Sequence, residues 1–223
     1  MATITHSFHM NKQSKDIEFN HCYCIGYSGR NQEKAKEHIQ ELAELGVPEP
    51  DDIPALFPLR TSAVSFSDEL EVVGNQTSGE AEIVLVFDEE GDIYVTVGSD
   101  HTDRGLETVS IQKSKQVCDK PLATELWKLE DVKDHWDKLE LSAYTYDQGE
   151  ETLYQSHSIE AILHVDDLLT YMKEKELPTK QNVVYCGTVP LLEGFKYGDA
   201  FQVTLKDPVY DRSITKKYSV KRL

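Results

Sequence analysis

Positive charge is scarce in this sequence, which has 23 Lys and Arg residues against 40 Asp and Glu residues and a formal net charge of −17. Nucleic acids and anionic membrane surfaces select for clusters of Lys and Arg. The apolar runs are also far shorter than the roughly 20 residues of a membrane-spanning helix, and the N-terminus lacks the apolar core of a signal peptide. We therefore expect no nucleic-acid partner, no membrane association and a cytoplasmic location.

Cysteine is equally sparse, with four residues in the chain. Cys22 and Cys24 form a Cys-x-Cys pair beside His21, but no second pair lies at the spacing of a zinc site, so structural, reduced thiols are the better interpretation. No Gly/Ser-rich or Pro-rich linker divides the chain, which predicts a single domain over 1–223. A chain of this length can bury roughly 70% of its unfolded surface, so any metal has a functional rather than a structural role.

The periodicity of the chain predicts an α+β, strand-rich fold. Residues 1–20 are expected to form an N-terminal strand or arm, and an apolar stripe predicts a helix over 31–45. A β-hairpin is predicted between 69 and 100, and the chain closes with strands. Helical signals return from Pro121 through Trp136 and again after Ser158.

Two glutamates interrupt the otherwise apolar strand "SGEAEIVLVF". Glu80 and Glu82 lie on the same face, because side chains alternate along a strand. If Phe87 faces Ile93 across the turn "DEEGD", antiparallel counting sets Glu80 opposite Asp100. Three carboxylates then meet at the open end of one hairpin.

Such a group needs compensation, and neither strand holds a nearby Lys or Arg. The carboxylates must be protonated, shifted in pKa or bound to a cation. Carboxylate oxygens suit Mg²⁺, or alternatively Mn²⁺ or Ca²⁺. The alternative is a frayed, solvated strand end that binds no metal.

Four motifs in order resemble the fumarylacetoacetate hydrolase superfamily. They are "CIGYSGRN" followed by the His-x-x-Glu of "HIQE", "GEAEIVLVF", "GSDHTDR" and "YCGTVPLLEGFKYGDAFQVTL". The resemblance spans Cys24 to Leu205. It implies the fold of that superfamily's C-terminal domain, with mixed β-sheets or a β-roll and flanking helices, and it makes 31–45 a lid-type helix.

The resemblance also implies a function. Members bind a divalent metal on the Glu-x-Glu and the later Asp, here Glu80, Glu82 and Asp100. They act on 2-oxo acids or β-diketo acids, and the expected activity is metal-dependent hydrolysis of a C–C bond in an acylpyruvate-like 2-oxo acid through a metal-held enolate. A hydratase or decarboxylase on the same site is the alternative, and a catalytically degenerate metal-binding or assembly protein is an alternative of another class. A homodimer is a further expectation.

Catalytic roles follow from the same resemblance. His38 and Glu41 would activate water as an oriented pair, and Lys115 would hold an anionic intermediate. Each has a plainer interpretation: the pair as solvated residues of a charged helix, and Lys115 as a surface lysine like Lys113 and Lys120.

Substrate binding is assigned to three further residues. Arg30 would clamp a substrate carboxylate, and Gly187 and Thr188 would present an N–H group and a hydroxyl. Arg30 could instead support a helix start, and Gly-Thr-x-Pro could be a simple turn. Asp103 and Arg104 are expected to support Asp100, or to form a surface ion pair.

Overall fold

The structure is a computed structural model that describes residues 3–10, 13–33, 36, 39–40, 50 and 52–223. Strands dominate it. They are Ile4–Met10 (β1), Gln13–Phe19 (β2), His21–Gly26 (β3), Ala55–Leu59 (β4), Val64–Ser65 (β5), Glu69–Val72 (β6), Thr77–Ser78 (β7), Ala81–Phe87 (β8), Ile93–Ser99 (β9), Thr102–Asp103 (β10), Lys120–Pro121 (β11), Trp127–Lys128 (β12), Glu140–Asp147 (β13), Glu150–Ser158 (β14), Asn182–Thr188 (β15), Ala200–Asp207 (β16) and Arg212–Arg222 (β17).

Helices are short and lie between the strands. Over the continuously described residues 52–223, the α-helices are Arg104–Glu107 (α1), Ile111–Val117 (α2), Leu129–Val132 (α3) and Val165–Glu174 (α4), and 3-10 turns cover Thr61–Ala63, Lys133–Lys138 and Ile159–Ala161. Among the described residues, every helix is too short or too polar to cross a membrane.

Two sheets form the framework. The first has six strands in the order β12-β9-β8-β15-β3-β4, in which β15 and β3 are parallel and the other neighbours antiparallel. The second has five strands in the order β14-β13-β16-β17-β6. Three two-stranded pairs complete the fold: β1 with β2, β7 with β10 and β5 with β11. The last two pairs matter for the site, because they place Arg104 and Lys120 beside the end of the β8–β9 hairpin.

Strand β8 lies in the middle of the core. All seven of its residues are buried. Ile83 and Leu85 pack into the cluster shared with the second sheet and α4, whereas Val84 and Val86 pack into the cluster under the β1–β2 hairpin. This is the strand covered on both faces that the sequence predicts, and it leaves any charged group at its end with little water.

The predicted hairpin register is confirmed. Phe87 pairs with Ile93 and Ala81 with Ser99. The predicted helix start at Pro121 is wrong, because Pro121 lies in the short parallel pair formed by β5 and β11. The region 1–20 forms the antiparallel hairpin of β1 and β2. Of the lid-type helix predicted over 31–45, residues 31–33, 36, 39 and 40 are described.

Candidate metal centre

Three carboxylates meet at the open end of the β8–β9 hairpin. Glu80, Glu82 and Asp100 each offer an oxygen atom, and these atoms lie within 4.8 Å of one another. The backbone joins the two strands here, since the Asp100 N–H donates to the Glu80 carbonyl over 3.0 Å. Glu82 and Asp100 are buried, and Glu80 is partly exposed. The convergence predicted from the strand register is therefore present.

Asp100 is held by two buried lysines. The Lys115 ammonium, from α2, donates to Oδ2, and the Lys120 ammonium, from β11, lies 2.9 Å from Oδ1. Lys120 also donates to the His101 carbonyl over 2.5 Å. Burial alone would raise the pKa of Asp100, but the two ammonium groups outweigh it and hold that pKa well below its usual range. Asp100 is thus a carboxylate at neutral pH.

The pKa of Glu82 is shifted in the opposite direction from that of Asp100. The Gly187 N–H donates to its Oε2 over 2.9 Å. Burial, and then the negative charge of Asp100, raise the pKa of Glu82 well above its ordinary value. Gly187 has φ +129°, and a Cβ there would come within 1.9 Å of the Ser28 hydroxyl, so only glycine brings this N–H to Glu82 without strain.

Glu80 is oriented by Arg104, which is 7% exposed. The Arg104 Nη2 group lies 3.3 Å from Glu80 Oε2, its Nε donates to the Ser78 hydroxyl over 2.7 Å, and its Nη1 donates to Glu107. The same carboxylates raise the pKa of Arg104, against the effect of its burial. Arg104 therefore supports Glu80, whereas the sequence predicts that it supports Asp100.

The fold supplies cations to the carboxylates that the two strands themselves lack. Counter-charge is not missing: Lys115, Lys120 and Arg104 come from the segment that follows the hairpin, and they reach two of the three carboxylates. Charge balance alone therefore does not require a metal. The case for one rests on the donor set, in which three carboxylate oxygens face each other at the spacing of a shared ligand.

This donor set fits a divalent cation of the Mg²⁺ type. Oxygen ligands from carboxylates are the ones that Mg²⁺, Mn²⁺ and Ca²⁺ select. The donor to Glu82 is the neutral Gly187 N–H rather than a cation. The residues that would hold the ion are Glu80, Glu82 and Asp100.

The predicted substrate residues make other contacts. Arg30 donates to both carboxylate oxygens of Asp137, over 2.8 and 2.6 Å, and to the Ile162 carbonyl over 3.0 Å. A substrate clamp would have to break this bidentate pair, so the structure favours the alternative of a structural role. Asp103 caps α1 by accepting from the Leu106 N–H over 2.9 Å. Asp103 therefore stabilises the start of α1, where Arg104 lies.

Thr188 is likewise engaged with the strand that carries the glutamates. Its hydroxyl donates to the Ala81 carbonyl over 2.7 Å and accepts from the Gln155 amide over 2.8 Å. Gln155 is buried and also accepts from the Ala81 N–H over 2.9 Å. Gly187 and Thr188 thus fix the positions of Glu82 and of its strand. Their assignment to substrate binding stays a prediction.

The predicted catalytic residues divide into two groups. Lys115 lies at the centre of the site, against Asp100. His38 and Glu41 lie outside the described residues, so their assignment stays a prediction.

Sequence reasoning missed several residues that hold the site together. Lys120 is fully buried. Its signal in the sequence is its position between Cys118 and the apolar stretch that begins at Pro121. His101 is also buried, between the Thr77 hydroxyl at 2.9 Å and the Tyr218 hydroxyl at 3.1 Å. No local pattern indicates the His101 contacts or Gln155, because their partners are distant in sequence.

Solved structures share this fold. Crystal structures of a protein designated Cg1458 match with a TM-score of 0.66 and 14% identity, over 99% of this chain and 89% of that one. A 2-keto-3-deoxyarabinonate dehydratase matches with a TM-score of 0.67 and 14% identity, over 96% and 86%. A 2-keto-3-deoxy-D-arabinonate dehydratase complexed with magnesium and 2,5-dioxopentanoate matches with a TM-score of 0.66 and 16% identity, over 97% and 78%.

The likeness confirms the strand-rich fold, with mixed sheets and a few helices, that the sequence predicts. At such identities the likeness establishes the fold. No curated protein matches the sequence. A family profile described as "Protein of unknown function (DUF2848)" matches residues 25–218, and the chain therefore belongs to this family.

Proposed function

We propose that this chain is an enzyme that binds Mg²⁺ on Glu80, Glu82 and Asp100 and acts on a 2-oxo acid. The observation that carries the proposal is the meeting of three carboxylate oxygens within 4.8 Å at a largely buried strand end. A fold neighbour that is complexed with magnesium and 2,5-dioxopentanoate supports it. When bound, the metal would act as a Lewis acid on the oxygens of the 2-oxo acid and orient them.

The protein's own groups have separate tasks. Arg104 and the Gly187 N–H hold Glu80 and Glu82 in place, so both carboxylates are oriented before the ligand arrives. Lys115 brings an ammonium group to the same point. It would stabilise negative charge that develops on a substrate oxygen beside Asp100.

The finer proposal is hydrolysis of an acylpyruvate-like substrate. Water adds to the distal carbonyl carbon, the bond between that carbon and the adjacent CH₂ breaks, and the products are a carboxylic acid and pyruvate. Such a reaction needs a base that activates water. We assign this task to the predicted pair His38 and Glu41.

A dehydratase is the second candidate, because two structures that share this fold are 2-keto-3-deoxyarabinonate dehydratases. A dehydratase would remove water from a 3-deoxy-2-oxo acid without breaking a C–C bond. A hydratase or decarboxylase could use the same carboxylates. A degenerate metal-binding or assembly protein would take up metal without turnover. The homodimer and the cytoplasmic location remain predictions.

Calorimetric titration of the chelator-treated protein with Mg²⁺, followed by oxalate, tests the proposal. Oxalate mimics the two adjacent oxygens of an enolised 2-oxo acid. We expect Mg²⁺ to bind and oxalate to bind only after it. Glu82→Gln should lose both, whereas Glu90→Gln, in the exposed turn of the same hairpin, is the matched control and should retain both. Retained Mg²⁺ binding in Glu82→Gln would refute the site.

Product analysis then separates the candidate reactions. Acylpyruvate hydrolysis releases pyruvate and a second acid, and dehydration of a 3-deoxy-2-oxo acid leaves the carbon chain intact. Metal and oxalate binding without turnover of either substrate class would favour the binding protein over the enzyme.

A further inference from the structure

Two aromatic rings lie against Lys115 and Arg104, the cations that pair with Asp100 and Glu80. The first is Phe57 in β4, which pairs with Cys24 of β3. The Lys115 ammonium lies 5.6 Å from the centre of the Phe57 ring. The chain keeps room for this ring: a Cβ on Gly26 would come within 2.7 Å of the Phe57 Cε2 atom. The ring packs against the core cluster that includes Cys24 and is only partly buried.

The second ring belongs to Phe195, in the segment between β15 and β16. The guanidinium carbon of Arg104 lies 4.3 Å from its centre. Arg104 is itself buried, whereas Phe195 is 45% exposed. One side of the ring therefore covers the cation that orients Glu80, and part of the rest faces solvent.

The segment around Phe195 is unusually apolar for a surface. Leu192 is 53% exposed and Tyr197 40% exposed. The segment follows Gly187 and Thr188 directly, and the Leu192 N–H fixes it to β14 by donating to the Tyr154 carbonyl over 3.0 Å. Single exposed apolar side chains are ordinary, but several together on one segment beside a polar site mark a ligand-contacting surface.

We propose that Phe57 and Phe195 select the substituent of the substrate, and that this substituent is apolar and flat or branched. The inference rests on the proposed function, because the 2-oxo acid end must lie on the carboxylate group. Phe57 lies against Lys115, which pairs with Asp100. Phe195 lies against Arg104, which pairs with Glu80. A chain rich in hydroxyl groups, such as that of a sugar-derived acid, would lose water against these rings without gaining hydrogen bonds from them.

Inert oxamates test the selection without turnover. The Mg²⁺-loaded protein is titrated with oxalate, with N-phenyloxamate and with N-(2,3-dihydroxypropyl)oxamate. We expect the phenyl compound to bind about tenfold more tightly than the dihydroxypropyl compound, as the burial of one ring allows. Phe57→Ala and Phe195→Ala should each reduce this ratio to about twofold, and each should weaken N-phenyloxamate more than oxalate, which carries no substituent.

Tyr210→Ala is the matched control. Tyr210 is 62% exposed and its ring lies 5.1 Å from the Arg212 guanidinium carbon, but Arg212 pairs with Asp207 and not with the metal group. The Tyr210→Ala variant should prefer the phenyl compound over the dihydroxypropyl compound by the same factor as the wild type. Oxalate binding without a phenyl preference, or a preference that survives both Phe substitutions, would overturn the inference and leave the proposed function standing. Absence of oxalate binding would overturn the proposed function, and this inference with it.

Discussion

The two ends of the β8–β9 hairpin differ in how many hydrogen-bond donors surround their buried carboxylates. At the turn, the Asp88 carboxylate is fully occupied: Oδ1 accepts from the three backbone N–H groups of residues 90–92 over 2.8 to 3.0 Å. Oδ2 accepts from the Lys15 ammonium at 2.5 Å and from the Tyr94 hydroxyl at 3.2 Å. Asp88 thereby closes the turn and ties it to β2.

At the open end, the carboxylates are held but not saturated. Glu82 receives one backbone N–H, and its ligand oxygen faces those of Glu80 and Asp100. The effect on pKa follows the difference: the partners of Asp88 outweigh its burial and lower its pKa, whereas burial and Asp100 raise that of Glu82.

The difference shows how a structural carboxylate can be told from a ligand. Both ends have buried acids and nearby cations, so neither burial nor charge separates them. What separates them is whether donors of the protein fill the oxygen lone pairs. The open end keeps oxygen atoms directed at one another, an arrangement that a divalent cation would stabilise.

The largest expected effect is on metal affinity. Glu82→Gln should weaken Mg²⁺ binding at least roughly 100-fold, because even residues that only support metal ligands contribute about 10- to 100-fold. Asp88→Asn should leave Mg²⁺ affinity within about twofold and instead lower the free energy of unfolding by about 2 kcal/mol, the value of a charged hydrogen bond. Calorimetry measures the Mg²⁺ affinity of both variants, and urea unfolding measures their free energies of unfolding. Equal Mg²⁺ affinities in the two variants would remove the distinction between the two ends.

Lys120→Met should give the next largest effect. The substitution leaves Asp100 with one ammonium partner and the His101 carbonyl without its donor. Breaking a buried ion pair from one side costs about 3 to 5 kcal/mol. We expect urea unfolding to show such a loss in the metal-free protein, and saturating Mg²⁺ to restore part of it. Lys113→Met, on the same segment, is the control and should have stability within about 0.5 kcal/mol of the wild type.

Magnesium should stabilise the folded protein by mass action. At a free concentration 100 times Kd the gain is about 2.7 kcal/mol, because the ion binds the assembled site and not the unfolded chain. Thermal unfolding with and without Mg²⁺ measures the gain as a rise in Tm. The rise should persist in Asp88→Asn and disappear in Glu82→Gln. An equal rise in both variants would indicate a general effect of the ion rather than a site.

Acid should weaken the turn end in a defined range. Asp88 has a lowered pKa in the folded protein, so its stabilisation is complete above the unfolded value of about 3.9 and is lost as pH falls through the lower folded value. The difference in unfolding free energy between wild type and Asp88→Asn should be constant from pH 7 to 5 and shrink below about pH 4. Urea unfolding at pH 7, 5 and 3 checks this. A difference that persists undiminished at pH 3 would contradict it.

The fold could be predicted where side-chain alternation and turns are local. The β8–β9 hairpin and its register follow from the pattern around "DEEGD". The closing strands β16 and β17 follow from the apolar and polar alternation of their own residues. The hairpin of β13 and β14 was not predicted, although buried Leu141, Ala143 and Thr145 alternate along the first strand and Gly149 marks the turn. The helix expected from Pro121 does not form there, because the short parallel pairing with β5, which is distant in sequence, prevails over the local preference.

The site was only half predictable for the same reason. Glu80, Glu82 and Asp100 lie within one hairpin, so strand geometry alone brings them together. Their partners come from elsewhere: Lys120 depends on β5, and the Gly187 N–H depends on the pairing of β15 with β8. Absence of Lys and Arg from the two strands therefore said nothing about the cations that the fold would supply.

The smallest expected effect concerns Thr188, which ties the strand between the glutamates to β15. Thr188→Val keeps the shape of the side chain but removes the bond to the Ala81 carbonyl and the acceptor of the Gln155 amide. We expect a loss of about 1 kcal/mol in stability and less than tenfold in Mg²⁺ affinity, because the Gln155 amide still donates to the Val189 carbonyl at 2.6 Å. Thr188→Ser should restore both, since it retains the hydroxyl. If Thr188→Val instead loses oxalate binding while keeping Mg²⁺, the hydroxyl contacts the substrate, as the resemblance implies, and does more than hold the strand.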